Sequence, residues 1–319
     1  MQERNTISIK NWLKKNSKGG AMKTFQEVFE KVKAKEGKRI AVAAAADEPV
    51  LEAVKEAVDL GLASADLVGD EAQIREIAGR IGLDLTKVSI YDEPDVKAAA
   101  LKAVKLVHEG HASVLMKGLI GSADFLRAVL NKECGLRTGK TLSSVAVIES
   151  KALGRFILMT DGGMVMYPTL EEKVQILQNT VPVCKGLGME QPKAAAVCAV
   201  EVVNPAMQAT LDASALTMMS QRGQIKGLQV EGPLGLDNAL SEEAAKHKGI
   251  KSEVAGHADV ILVPNIEAGN MMYKSIVYLA KEEAETAALI MGAAAPIIMT
   301  SRADSPKTKL NSIAAALLV

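Results

Sequence analysis

The chain has 319 residues, 48% of them apolar but only 3% aromatic, and its 38 Lys and Arg balance its 38 Asp and Glu. That length holds two domains or one large α/β domain, and a core of Ala, Val, Leu, Ile and Met suits helices packed closely on a parallel sheet. Zero net charge, without a basic run carrying aromatics, argues against nucleic acid and for a small ligand held by a few local cations and N–H groups.

The three cysteines, Cys134, Cys184 and Cys198, are odd in number and form no CxxC pair, as suits a reducing cytoplasm. No apolar stretch reaches the ~18 residues of a membrane span; the densest, 286–299, breaks at Gly292 and Pro296. Residues 1–21 carry Lys10, Lys14, Lys15 and Lys18 and lack a secretion-signal core. They read as a leader that folds with nothing.

From Met22 the pattern alternates. Phe25, Val28, Phe29 and Val32 share one helical face, and Gly37 ends that helix. A buried strand over 38–46 follows, then a helix over 49–60 and a strand over 65–69. After a helix from Glu71 come a strand over 88–91, a helix ending at His108 and a strand over 113–116. Such repetition predicts a parallel sheet covered on both faces. Around residue 139 two strands, 141–149 and 155–160, follow each other directly, which suggests entry into a second domain. Alternation then resumes: helix 169–186, strand 194–200, helix 206–222, strand 228–230, helix 238–248 and strand 259–263. A helix over 269–284 leads to a final strand, 297–300, and a last helix that Ser305 caps with Pro306 in its first turn.

Four clusters carry possible chemistry. Lys117-Gly-Leu-Ile-Gly-Ser122-Ala-Asp-Phe-Leu-Arg127 leaves a strand and enters a helix. Both a phosphate cradle and a plain connection with a surface arginine fit it, and it is no P-loop. Asp161-Gly-Gly-Met-Val-Met-Tyr-Pro168 reads as a two-glycine loop with a buried Met/Tyr set, lining a cleft or simply turning. Gly269-Asn270-Met-Met-Tyr273-Lys274 opens a helix, and its three- and four-residue spacings put Asn270, Tyr273 and Lys274 on one face. In Thr300-Ser301-Arg302-Ala-Asp304-Ser305, the Arg fork suits phosphate, Ser301 can donate to an oxyanion and Asp304 can take a proton. Three clusters lie at C-terminal strand ends, where open α/β sheets gather ligands. His108, His111, His247 and His257 have no metal-ligand spacing, and no Gly-x-Gly-x-x-Gly follows a strand.

At these clusters, over 22–319, the sequence resembles the phosphate acetyl/butyryltransferase family, most of all its butyryl branch. The likeness rests on Leu115-Met-Lys-Gly118, Gly135-Leu-Arg-Thr138, Asn204-Pro-Ala-Met-Gln-Ala-Thr-Leu-Asp-Ala213, Gly223-Gln-Ile-Lys-Gly227, Glu231-Gly-Pro-Leu-Gly-Leu-Asp-Asn-Ala239 and the last two clusters, all in order. It implies the reaction acyl-CoA plus phosphate giving acyl phosphate plus CoA, with coenzyme A as a substrate and no metal or redox cofactor. It also implies a two-domain fold with parallel or mixed sheets, like isocitrate and isopropylmalate dehydrogenases. Residues 22–138 and 290–319 would form one domain and 139–289 a second, dimer-forming one, with the active site between them. By resemblance Ser301 and Arg302 lie at the CoA thiol and phosphoryl group, Arg127, Ser122 and Lys117 at phosphate, and Asn270, Tyr273, Lys274 and Arg137 along the cleft. The acetyl branch's thiol-deprotonating aspartate falls at Thr308 here, which leaves Asp304 as the nearest acid. A second phosphate-site arginine of that branch falls in a segment this chain shortens. A decarboxylating dehydrogenase would need clustered Asp ligands and a nicotinamide site, neither of which is visible. The other alternative is a non-catalytic acyl-CoA-sensing domain.

Overall fold

A computed structural model describes residues 20–35, 37–301 and 304–319, so the leader, apart from Gly20 and Ala21, lies outside the described residues. The first half alternates α1 (Phe25–Lys33), β1 (Arg39–Ala43), α2 (Glu48–Asp59), β2 (Ser64–Gly69), α3 (Glu71–Ile81), β3 (Val88–Asp92), α4 (Val96–His108), β4 (Val114–Lys117) and α5 (Ser122–Val129). Asp70 and Asp95 cap α3 and α4 by accepting N–H bonds from Gln73 and Ala98, which satisfies donors that each helix start leaves open. The second half holds β5 (Ser143–Ser150), β6 (Arg155–Thr160), α6 (Leu170–Gly186), β7 (Lys193–Val197), α7 (Gln208–Gln221), β8 (Gln229–Leu234), α8 (Leu236–Leu240), α9 (Glu242–His247), β9 (Val260–Leu262) and α10 (Ile266–Leu279). Then come β10 (Ala284–Met291), β11 (Ile297–Ile298) and α11 (Pro306–Leu318).

Among the described residues, eleven strands form one mixed sheet in the order β3-β2-β1-β4-β11-β10-β5-β6-β9-β7-β8. β1 to β4 and β11 run parallel, β10 and β5 reverse direction in turn, and β6, β9, β7 and β8 run parallel again. The sheet therefore changes sense at its centre, where the last strands return from the end of the chain.

β10 departs from the sequence reading, which carried a helix to residue 284 and went straight on to the final strand. The run Ala284-Glu-Thr-Ala-Ala-Leu-Ile-Met291 contains good helix formers, but it pairs along its whole length with β5, from Ala284↔Ser150 to Met291↔Ser143. Tertiary context overrides propensity here. The helix expected over 238–248 likewise breaks in two, because Ser241 takes an extended conformation and caps α9 by accepting the Ala244 N–H.

α11 is buried on all sides from Lys309 to Leu318, the pattern of a core helix rather than a surface one. It starts as its sequence predicts, with Ser305 Oγ accepting the Thr308 N–H at 3.1 Å. Ser312 Oγ accepts the Ala288 N–H at 2.9 Å and so ties α11 to β10. Phe25 of α1 meets Phe156 of β6 edge-on at 5.0 Å, and the Phe25 N–H donates to Glu149 at 2.6 Å.

Candidate active site

A cleft of about 150 Å³ opens over the centre of the sheet. Its rim is polar: Asn270 and Lys274 from α10, Gly162 and Gly163 from the loop after β6, and Ser301 and Asp304 from the turn between β11 and α11. Its floor is apolar: Ala146 of β5, Met159 of β6, Ala288 and Ile290 of β10, and Met299 just after β11. Tyr273 closes the side next to α10.

The loop after β6 is built around Asp161, which is 3% exposed. Its carboxylate accepts N–H bonds from Ser144 (3.1 Å), Gly163 (2.9 Å), Met164 (3.0 Å) and Val165 (3.0 Å), and the Ser144 hydroxyl. A carboxylate so thoroughly engaged shapes the loop and has little left to offer a ligand. The loop then presses on α10: a Cβ at Gly269 would fall 2.6 Å from Gly162 Cα. That glycine contact lets Asn270 Nδ2 donate to the Gly162 carbonyl at 3.3 Å. Asn265, not Asn270, caps α10 by accepting the Ala268 N–H at 3.0 Å, so Asn270 faces the cleft. In the same loop, Met166 and Tyr167 are not buried as their composition suggested; they are 66% and 68% exposed. The Tyr167 hydroxyl donates to Glu267 on α10, which holds the ring outside.

At the opposite rim, Asp304 is 7% exposed and its Oδ2 accepts the Ser301 N–H at 2.7 Å. Lys309, 3% exposed on α11, reaches under this turn. Its ammonium donates to the Asp304 carbonyl at 2.5 Å and lies 3.5 Å from the Ser301 carbonyl. Burial lowers the Lys309 pKa, with Asp304 and Asp47 partly countering. Burial also pushes the Tyr273 phenol up to about 12, aided by the Asp304 charge. Thr286 lies beside that phenol, yet no contact to it meets hydrogen-bond geometry, and the buried hydroxyl is unpaired.

Of the residues the sequence singled out, the cleft thus gathers Ser301, Asp304, Asn270, Tyr273 and Lys274. Arg302 lies outside the described residues. The remaining four are not among the residues lining the cleft. Lys117 is buried at the end of β4, with its ammonium 3.4 Å from the Gly118 carbonyl; the register Met116↔Ile298 brings it level with Met299. Ser122 opens α5, where Arg127, its side chain 72% exposed, pairs with Asp124. Exposed Arg137 lies between Leu136, whose carbonyl accepts the Ala294 N–H at 2.9 Å, and Thr138, whose hydroxyl donates to the Gly292 carbonyl at 2.5 Å. Gly118 serves the backbone: a Cβ there would fall 2.2 Å from the Ala44 carbonyl oxygen. The sequence reading missed Ser144, Ala146, Met159, Ala288, Ile290, Met299 and Lys309. Only strand register could have pointed to the strand residues, and no local signal marks a buried lysine inside a helix.

With this geometry in hand, the profile of the phosphate acetyl/butaryl transferase family matches residues 23–99 and 94–317, nearly the whole described chain. The chain belongs to this family. Among its relatives, a phosphate butyryltransferase of Clostridium acetobutylicum is 55% identical over 298 residues, covering 93% of this chain and 98% of the relative. A phosphate acetyltransferase of Thermotoga maritima is 46% identical, covering 87% of this chain and 94% of the relative. A branched-chain phosphotransacylase from Enterococcus faecalis superposes with a TM-score of 0.78 at 30% identity, covering 88% of this chain and 98% of that one. A phosphotransacetylase from Streptococcus pyogenes, 19% identical with a TM-score of 0.76 over 92% of this chain and 98% of its own, shares the fold. Among the described residues no helix is long and apolar enough to cross a membrane.

Proposed function

We propose that this enzyme converts a short-chain acyl-CoA, butyryl-CoA by preference, and inorganic phosphate reversibly to acyl phosphate and CoA, by direct attack in a ternary complex. The observation that carries the reading is the meeting of Ser301, Asp304, Asn270 and Lys274 on the rim of one cleft with an apolar floor, in a chain 55% identical to a phosphate butyryltransferase. The likeness to a phosphate acetyltransferase keeps acetyl-CoA as the alternative substrate.

In the direction of acyl-CoA synthesis, Asp304 takes the proton of the CoA thiol. The thiolate attacks the carbonyl carbon of the acyl phosphate, and a carbon–sulfur bond forms. The tetrahedral oxyanion is stabilised by Ser301 and nearby N–H groups; it collapses by breaking the carbon–oxygen bond to phosphate, which leaves on Arg302 and Arg127. Reversal gives the acyl phosphate. Arg127 would have to exchange Asp124 for the phosphate, with Ser122 and Lys117 assisting. Asn270, Tyr273, Lys274 and Arg137 would line the path of CoA. Each step moves only a proton, a nucleophile and a leaving group, so we assign no metal or redox cofactor.

With this reading go a division of the chain into 22–138 with 290–319 and 139–289, a homodimer formed by the second part, and a cytoplasmic location. The change of strand direction between β11 and β10 supports the division. Exposed Met271, Tyr278 and Leu279 on α10, with exposed Met166 and Tyr167 in the loop bonded to the start of that helix, support the dimer, because large exposed apolar side chains gathered in one region favour a covering partner. The three unpaired cysteines suit a reducing compartment.

The test is release of free CoA thiol from acetyl-, propionyl-, butyryl- and isobutyryl-CoA, with and without phosphate and with no added metal or NAD. Release that needs phosphate and peaks at the four-carbon chain is expected. No release from any of them refutes the reading and leaves an acyl-CoA-binding regulator.

A further inference from the structure

The floor of the cleft contains a hollow whose cause is visible in the strand register. Ala288 of β10 stands directly opposite Ala146 of β5, and Ala146 stands opposite Met159 of β6. Side chains at such positions share one face of the sheet. On that face the next pairs are Ile290 with Ser144 and Thr286 with Ile148. Two methyl groups therefore meet where the surrounding positions carry larger side chains. α10 crosses this face with Tyr273 and Ile276 packed on it, so the missing volume is walled on that side and stays open to the cleft. Met299 stands at the edge, and the polar rim carrying Ser301 and Asp304 is above. The unpaired Tyr273 hydroxyl is also in this wall; an interior of such composition is otherwise close-packed and satisfied.

We propose that the acyl chain of the substrate is seated over the Ala146–Ala288 pair, between Met159, Ile290 and Met299, with its carbonyl held at the Ser301 rim. The assignment rests on the phosphotransacylase reading above and adds which residues set chain length. An acetyl group leaves the hollow mostly empty, whereas propyl or isopropyl carbons reach the two alanines. A methylene gained or lost in a fitted apolar pocket changes kcat/KM by roughly 10- to 200-fold. Side chains added at Ala288 point into the cleft and leave its N–H bond to Ser312 in place, so the substitution addresses the hollow rather than the strand.

The experiment measures kcat/KM of phosphate-dependent CoA release for acetyl-, propionyl-, butyryl- and hexanoyl-CoA in the full chain and two variants. Ala288→Leu fills the hollow, and the butyryl-to-acetyl ratio should fall at least tenfold. Met299→Ala opens its edge, and the hexanoyl-to-butyryl ratio should rise at least threefold; this variant removes half-buried side-chain atoms and does not depend on the first one folding. Ratios within twofold of the wild-type chain in both variants overturn the acyl seat while leaving the transferase reading intact. A wild-type chain that releases no CoA from any substrate overturns that reading, and the acyl seat with it.

Discussion

Asp304→Asn separates two duties of one carboxylate, a hydrogen bond that the geometry shows and a proton transfer that we propose. Asp304 Oδ2 holds the Ser301 N–H at 2.7 Å, and in the proposed mechanism the carboxylate also takes the thiol proton. An asparagine oxygen can still accept the N–H, so the turn should persist with a stability loss of about 1 kcal/mol, the difference between a charge-assisted and a neutral hydrogen bond. The amide cannot accept a proton, so kcat in the acyl-phosphate-to-acyl-CoA direction should fall about 10²- to 10⁴-fold, or ~2.7–5.4 kcal/mol of barrier. A thiol of pKa ~8.5 is about 3% ionised at pH 7. Without its base the variant depends on that fraction, and its kcat/KM for CoA should climb about tenfold per pH unit from pH 6 to 8. The assay follows acyl-CoA formation from acyl phosphate and CoA across that range, beside thermal melts. Asp304→Ala should lose both functions, with a stability loss of roughly 1–3 kcal/mol for the orphaned N–H. An Asp304→Asn rate within threefold of wild type and parallel to it in pH would refute Asp304 as the base.

Lys309→Met removes the donor beneath the Ser301–Asp304 turn; we expect roughly 1–3 kcal/mol of destabilisation by calorimetry and at least a tenfold drop in kcat, and an unchanged kcat would mean the turn is held by other contacts. Gly269→Ala drives a methyl to 2.6 Å from Gly162 Cα; the loop must retreat, with about 1–3 kcal/mol lost to overpacking, and activity unaltered at full stability would deny the loop its place in the cleft. Alkaline stability should fall above pH 9. Burial raises Cys184 from 9.0 to about 12, Cys198 from 9.0 to about 11 and Tyr273 from 10.0 to about 12. The folded chain thus keeps these protons after the unfolded chain has released them. The resulting stabilisation is complete below pH 9 and is lost as pH rises from about 9 to 12; urea midpoints flat from pH 8 to 10.5 would contradict it.

What could be read in the sequence followed from local rules. Ser305 and Pro306 start α11 because a hydroxyl cap and a missing N–H suit that position wherever the helix lies. The spacing of Asn270, Tyr273 and Lys274 puts them on one face whatever the face meets, and the cleft lines up all three. Reading failed where the answer depended on distant partners. Ala288 and Ala146 are separated by 142 positions and become neighbours only through the β5–β10 register. In sequence, Ala284–Met291 looked like a continuation of helix and linker, so the central antiparallel pair, and with it the cleft floor, was invisible. Arg127 is a different case. Its position after a glycine turn matched a phosphate cradle, but on α5 its side chain pairs with Asp124 at the surface, because an i,i+3 partner is available at no cost in backbone reach. Lys309 is the instructive case. A lysine in the first turn of a helix normally reads as solvated, yet here the helix is the centre of the core, and two carbonyls of the Ser301–Asp304 turn supply the acceptors its ammonium needs. The burial of α11 and the arrangement around it turn one of its charges into a support for the Ser301–Asp304 turn.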